Sequence, residues 1–450
     1  MQRRTFLRSA GAAVAWTVFS TSRVLGANER LRVGLIGCGG RGRLVMRDIL
    51  QAPDTELVGA CDVYEANAQQ ATTEMAGGRA PTFQDFRKLL EMKDLDAVLV
   101  ATPDHWHAIP TVLALDAGKH VFVEKPFALT IKEGRAMVDA ATRTGRILMP
   151  ATQHRSSPHI AEAARMVQAG EIGDVSLVRV WNSGNNAQGP AENVPDSDPP
   201  EGLDWDFYLG PSPQVPFNET RFLSTYRVYY DYAGGYITDF GNHRIDSVHQ
   251  IMNATAPVAV SAFGRRVMKD SPGDIFDLHV ATYEYPTFIM EYVANWANGH
   301  GLGGRYEGQE YYSMVGNHDR PHGLAFYGTQ GTLMVDRIGW ELYTEPQRRG
   351  REKQESPSAA SAGTRKAFQG DDATALHAQN FVKQVRLGKK GAVDEMIGHT
   401  STTACLLGTI AAKTGRRLTW NAKQEDFEND AEASTLLGRN LREPYAWIEI

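Results

Sequence analysis

The sequence predicts an α/β protein in two parts: a doubly wound parallel sheet, then an α/β unit on an open, mainly antiparallel sheet. Three observations predict it. Residues 31–42, LRVGLIGCGGRG, read as a strand, a glycine-rich turn and the first turn of a helix. From there to about residue 151, short apolar runs alternate with helical patterns, the rhythm of parallel strands covered by helices on both faces. Beyond residue 153 alternating, aromatic-rich segments take over, which suits antiparallel strands with one face packed.

In the first turn, Gly37, Gly39 and Gly42 stand in the G-x-G-x-x-G spacing of a dinucleotide site. The first glycine permits the tight turn, the second lets a pyrophosphate approach the backbone, and the third packs helix against strand. The helix start beyond them offers unpaired N–H groups and a partial positive charge to phosphates. A second strand, 55–63, carries Asp62 at its end, about twenty residues past Gly42, where this fingerprint puts an acid on the adenosine ribose. An acid there repels a 2′-phosphate, so the pattern favours NAD over NADP. Arg41, itself a candidate cofactor contact, and Arg43 weaken that preference without reversing it.

The runs 96–103, 120–126 and 146–151 read as further buried parallel strands, with helices at 109–118 and 131–145 between them. Ligands of such sheets bind beyond the carboxyl ends of the strands. That rule gathers the segment 102–107, TPDHWH, and Glu124–Lys125–Pro126 around one crevice. Thr102, Pro103, His105, His107, Glu124 and Lys125 are the expected cofactor contacts there. Gln153, His154 and Arg155 end the last strand, with Gln153 and Arg155 as candidate substrate contacts.

A helix at 161–169 opens the second part. Strands follow at 175–182, 259–267, 279–285, 287–296, 323–328 and 331–340, and helices return at 373–387 and 400–414. Residues 184–200 and 348–370 read as loops, the latter polar and poor in bulky side chains. The division expected is a nucleotide-binding unit at 28–153 and a substrate and oligomerisation unit at 154–450.

Residues 1–27 stand apart from the fold. Arg3–Arg4 precede an apolar run from 10 to 20, and small residues at Gly26 and Ala27 allow cleavage. RRTFLR is similar to a twin-arginine export signal, which implies a periplasmic or otherwise exported protein that crosses already folded. The apolar run is too short to span a bilayer comfortably, so an anchor is the lesser alternative.

With 42 % hydrophobic and 22 % charged residues and a net charge of −6, the chain is globular and gives no reason to expect nucleic acid or an anionic membrane as partner. Three cysteines are too few and too scattered for a disulfide framework or a metal cluster.

Two places carry chemistry. Lys125 closes a buried strand between an acid and a proline, where a lysine is unusual unless paired. It either pairs with Glu124 or reaches into the crevice to hold a substrate oxygen. The other place is 234–250, GGYITDFGNHRIDSVHQ. On a helix, Asp239 and His243 share a face, with Asp246 on the neighbouring edge. A histidine raised in basicity by a carboxylate is the natural general base near neutral pH. By spacing alone, a solvated Asp–His pair fits equally well. No third ligand at convincing spacing accompanies the pair, so no metal is expected. Arg227, Tyr229 and Tyr230, just before the double glycine, are candidates to line a sugar pocket, Arg227 and Tyr230 as substrate contacts.

The glycine fingerprint, EKP at 124–126 and GG-x3-D-x3-H-x2-D at 234–246 together resemble the glucose–fructose oxidoreductase, inositol dehydrogenase and MocA family, over nearly the whole chain after the leader. The resemblance implies a Rossmann domain and a C-terminal α/β domain whose open sheet often serves dimer contacts, hence a homo-oligomer. Residue by residue it implies Lys125 as catalytic lysine, Asp239 as substrate-binding aspartate and His243 as catalytic histidine.

The expected activity is a NAD-dependent oxidoreductase acting on a hydroxyl of a sugar, glycoside or polyol. An exported enzyme lacks an obvious NAD pool, which favours a tightly held cofactor. A NAD-dependent glycoside hydrolase working by transient oxidation and elimination is the alternative, and Lys125 argues against it. A non-catalytic NAD-bound protein comes last, because Lys125, Asp239 and His243 are all present.

Overall fold

The computed structural model describes residues 30–184, 194–268, 271–302, 320–345, 364–367 and 373–445; the leader and most of the 348–370 segment lie outside the described residues. The first sheet has six parallel strands: β1 (Leu31–Ile36), β2 (Thr55–Cys61), β3 (Thr82–Phe83), β4 (Ala97–Val100), β5 (His120–Val123) and β6 (Leu148–Pro150). Their order is β3-β2-β1-β4-β5-β6, the doubly wound order that reverses between β1 and β4. Strands β2, β4, β5 and β6 are shorter than the runs read for them, because each run continues past the sheet into the loop that follows. The two-residue β3 has no run of its own and was not expected.

Helix α1 (Gly40–Leu50) follows the glycine turn and packs Val45, Met46 and Ile49 on the sheet. Helix α2 (Ile131–Thr144) starts in a capping box: the Thr130 side chain accepts from the Glu133 N–H, and Glu133 returns the bond to the Thr130 N–H. That box ends the chain's excursion through Lys125.

The second sheet has ten strands in the order β14-β13-β12-β11-β7-β10-β9-β8-β15-β16. They are β7 (Val175–Ser183), β8 (Ala259–Arg265), β9 (Leu278–Glu284), β10 (Ile289–Asn295), β11 (His322–Gly328), β12 (Gly331–Val335), β13 (Gly339–Thr344), β14 (Thr364–Ala367), β15 (Leu418–Asn421) and β16 (Asp426–Phe427). All pairs are antiparallel except β7 with β10, which run parallel. Strand β14 lies inside the segment read as a loop.

One face of this sheet is packed and the other is partly open, as alternation along β10 shows: Met290, Tyr292 and Ala294 are buried, whereas Ile289 is 40 % exposed. The packed face lies on α4 (Gly241–Met252) and α6 (Glu395–Thr414), whose Ile245, Val248, Leu407 and Ile410 join Tyr283, Met290 and Tyr292 in one core. A short helix, α3 (Tyr236–Asp239), precedes α4.

Helix α5 (Thr374–Leu387) follows the second sheet in the chain but packs on the first. Its Phe381 stacks on Phe122 of β5 at 5.1 Å between ring centres. Among the described residues no helix is long and apolar enough to cross a membrane.

Candidate active site

The carboxyl ends of β1, β4 and β5 face α3 and α4 across a cavity of about 840 Å³, within the size range of ligand sites. Its nucleotide end is the glycine turn. Gly37 has φ +89°, and a Cβ there would lie 2.6 Å from the Ala101 and Thr102 backbone. A Cβ on Gly42 would sit 2.1 Å from the Gly37 carbonyl oxygen. At Gly39 and Gly40 a Cβ would meet nothing within 4 Å. The turn is thus tight against the protein where the helix must dock and open where a phosphate must approach. Gly39 caps α1 with no side-chain bond, leaving the first N–H groups to a ligand. These residues fit a dinucleotide.

Asp62 lines this end and is locked in place. Its carboxylate accepts from the Cys38 N–H at 2.7 Å and the Tyr64 N–H at 2.9 Å. Burial pushes its pKa up, against those N–H bonds. Arg43 donates to the Cys38 carbonyl at 2.6 Å and faces Glu74 at 3.6 Å, so its guanidinium is committed away from a 2′-phosphate. Arg41 pairs with Glu124 at 2.7 Å, joining the start of α1 to the end of β5.

Thr102, Pro103, Trp106 and His107 also line the cavity. The His107 ring nitrogens meet the Pro126 carbonyl at 2.7 Å and the Thr102 carbonyl at 3.0 Å, tying the two strand-end loops together. His105 does not line it, contrary to expectation. Its Nε2 meets the Tyr208 carbonyl at 2.9 Å, and burial, then Arg439, push its pKa down to about 3. It is a neutral core histidine, because the short 3₁₀ turn Asp104–Trp106 rotates it away from its neighbours.

At the other end Lys125, Asp239 and His243 converge. Lys125 does not pair with Glu124 through its ammonium: Nζ donates to Asp239 Oδ1 at 2.5 Å and to the Asp239 carbonyl at 3.1 Å. Arg227 Nε lies 3.6 Å from Asp239 Oδ2. Burial alone would raise the Asp239 carboxyl, but Lys125 and Arg227 outweigh it and hold it below its ordinary value.

His243 sits on α4 and Asp239 ends α3, with Phe240 between the two helices. No hydrogen bond joins Asp239 to His243: the carboxylate expected to act on the histidine turns instead to the two cations. His243 Nδ1 is buried without a partner, which leaves Nε2 to meet a substrate. Burial, then the Lys125, His154, Arg337 and Arg244 side chains, push its pKa well below that of free histidine. The basicity expected from a neighbouring carboxylate is absent.

Gln153 lines the cavity, and the His154 ring packs behind His243 at 4.9 Å between centres. Arg155 does not reach the site. It turns to Asp246, with Nε 3.0 Å from both carboxylate oxygens and Nη2 2.8 Å from Oδ1. Asp246, fully buried, needs that counter-charge. Tyr229 and Tyr230 are likewise outside it: Tyr229 bonds Thr220 at 2.5 Å, and the Tyr230 ring carries Lys413 at 3.7 Å. Missed altogether were Tyr226, in the 3₁₀ segment before them, and Arg337, in the β12–β13 turn. Neither carries a motif; only the folded chain brings them to the cavity.

A model of an oxidoreductase family's NAD-binding Rossmann fold matches residues 31–152, and a model of an oxidoreductase family's C-terminal α/β domain matches 175–289 and 365–447. An α-N-acetylgalactosaminidase of Shewanella oneidensis is 30 % identical over 204 residues, 39 % of this chain and 44 % of that protein. A glycosyl hydrolase family 109 protein of Shewanella baltica is 30 % identical over 203 residues, with the same shares. The chain thus spans less than half the length of these curated relatives. Among solved structures, a levoglucosan dehydrogenase in complex with NADH and levoglucosan has a TM-score of 0.63 at 19 % identity, covering 87 % of this chain and 99 % of that one. An aldose–aldose oxidoreductase from Caulobacter crescentus has a TM-score of 0.63 at 17 % identity, covering 87 % and 100 %. At these identities the structures share the fold.

Proposed function

Because the chain belongs to the glucose–fructose oxidoreductase, inositol dehydrogenase and MocA oxidoreductase family, with its NAD-binding Rossmann domain, we propose that it oxidises or reduces a carbinol of a sugar, glycoside or polyol. The observation that carries this reading is the convergence of Lys125, Asp239 and His243 on one cavity with the glycine cradle. Bound NAD supplies the hydride acceptor or donor. Gly37, Gly39 and Gly42 would hold its pyrophosphate and Asp62 its adenosine ribose, and the loop after β4 with Lys125 would line the remainder of its site.

Within that frame the chain's own groups have separate tasks. Lys125 Nζ donates to the substrate oxygen and stabilises negative charge there. Asp239 keeps the ammonium aimed. His243, kept neutral by its burial and then by the cations around it, accepts the hydroxyl proton at Nε2. Trp106 and Phe240 wall the cavity with apolar surface and thin the water around it.

The test is chemical. Nucleotide released from the purified, denatured protein should be NAD or NADH, and a panel of sugars and polyols should change its redox state. NADP alone, or no redox change with any substrate, overturns the reading. The curated relatives favour a second reading, glycoside cleavage by transient oxidation and elimination, whose product is a cleaved glycoside with no net change in the nucleotide. Lys125 favours the first.

Two further expectations join the proposal. Arg3–Arg4 and the apolar run after them support export by the twin-arginine route; replacing both arginines with lysine should retain the protein in the cytoplasm, and unchanged export refutes it. The outer face of the second sheet, where Phe263 is 74 % exposed, supports association into a dimer or tetramer; a monomer by light scattering refutes that.

A further inference from the structure

Resting on the dehydrogenase reading, we propose that the substrate carries a carboxylate, as an aldonate or uronate does, and that Arg227 binds it. Asp239 alone does not balance the two cations beside it. Asp104, the second carboxylate near Arg227, is buried, accepts from the Tyr226 hydroxyl at 3.1 Å and has its pKa pushed up by burial. One carboxylate faces two cations: Lys125 Nζ is 2.5 Å from Oδ1 and Arg227 Nε is 3.6 Å from Oδ2. Among these three groups one positive charge is left over, at the end of the cavity where the reacting carbon must sit.

The left-over charge has a shape. A guanidinium offers five N–H donors in a fixed fork. Arg227 directs Nε at Asp239 and one Nη1 bond, a long 3.4 Å, at the Ser224 carbonyl. Arg227 lines the cavity with its side chain 29 % exposed, and no further bond of its guanidinium to a protein oxygen competes for the remaining N–H groups among the described residues. Two parallel N–H groups of this kind match the two oxygens of a carboxylate.

The fork is also held ready. The guanidinium lies over the Tyr226 ring at 4.6 Å, and the Tyr226 hydroxyl donates to buried Asp104 at 3.1 Å. A donor fixed before the ligand arrives loses little freedom on binding. Arg227 is therefore built as more than a screen for Asp239, which Lys125 already satisfies.

A carboxylate there would act on the base as well. The cations that depress His243, beside its burial, face it from the loop after β5 (Lys125), α4 (Arg244) and the β12–β13 turn (Arg337). An anion bound among them offsets that field and brings the imidazole back toward ordinary basicity, so an acid substrate improves its own proton acceptor.

The experiment is calorimetric titration of the NAD-loaded protein with matched pairs: glucuronate and glucose, galacturonate and galactose, gluconate and glucitol. In at least one pair the acid should bind about ten-fold more tightly, the order one charge-assisted bond supplies. Arg227→Met should remove that preference while retaining NAD. Arg227→Lys, which keeps the charge and loses the fork, should retain only part of it and serves alone if the Met variant does not fold. The acid limb of kcat should lie at higher pH for the acid than for its neutral partner. No acid outbinding its partner, a preference that survives Arg227→Met, or loss of NAD from that variant each overturns the proposal. Redox turnover of the same pairs separates the two claims: turnover of neutral sugars as readily as acids keeps the dehydrogenase and removes the carboxylate site. Preferential binding of acids without any turnover does the reverse.

Discussion

Lys125 and Asp239 stand 114 residues apart in the chain, and their side chains meet at 2.5 Å, Nζ to Oδ1. The pair spans the two sheets: β5 of the first delivers the lysine, and α3, packed with the second, delivers the carboxylate. Docking of the two units is therefore what creates the site, and the ammonium is aimed before any substrate enters.

That pairing predicts coupled losses. Asp239→Asn and Lys125→Met should each lower turnover by ~10²–10⁴ while keeping bound nucleotide. The double variant should be little worse than the weaker single one, since groups that act as a unit are not additive. Steady-state rates of the four proteins close the cycle; losses that multiply would mean the two act independently.

The glycine turn predicts a contrast between stability and binding. Gly37→Ala places a Cβ 2.6 Å from backbone at φ +89° and should destabilise the nucleotide-free protein by more than ~1 kcal/mol. Gly39→Ala meets no protein atom within 4 Å and should leave stability within about 0.5 kcal/mol. It should nevertheless release NAD, because the methyl fills the space the pyrophosphate needs. Urea unfolding with a nucleotide assay checks both, and full NAD retention in Gly39→Ala would contradict the cradle.

The state of His243 predicts a pH profile. Its folded pKa is held below the ordinary ~6.5, and the base must be neutral to accept a proton. Activity on a neutral sugar is thus retained as pH falls through ~6.5 and lost only below it, at the depressed value. A kcat/KM profile whose acid limb belongs to His243, absent in His243→Gln, should show this; a limb at or above that point would place a carboxylate beside the ring.

Buried histidines predict acid sensitivity of the fold. Burial pushes His279 and His377 down to about 4 and His249 to about 3. Each depressed value lies under the unfolded ~6.5, so the unfolded chain binds the proton first. The stability is complete above that point and is lost as pH falls through the folded values. Asp62, Asp104 and Asp246, raised by burial, work in the opposite direction, so the measurement is a difference. In His377→Gln the slope of unfolding free energy against pH should flatten by about one proton across this range. An unchanged slope would refute the assignment.

Much of this was legible along the chain because it is local. A strand, a turn needing Gly37 at positive φ, and a helix start are decided by neighbours a few residues apart. So are the alternation along β10 and the capping box of α2. Lys125, Asp239 and His243 could be named because each sits in a short pattern. What no spacing contains is the identity of a side chain's partner. Asp239 lies one turn from His243 in sequence yet bonds Lys125, since an ammonium across the cleft attracts a buried carboxylate more strongly than a neutral ring does. Arg155 leaves the site for the same reason, drawn to the buried charge of Asp246. Tyr226, Arg337 and the packing of α5 on the first sheet were decided by tertiary contact alone, where burial and charge pairing act between residues the chain order keeps far apart.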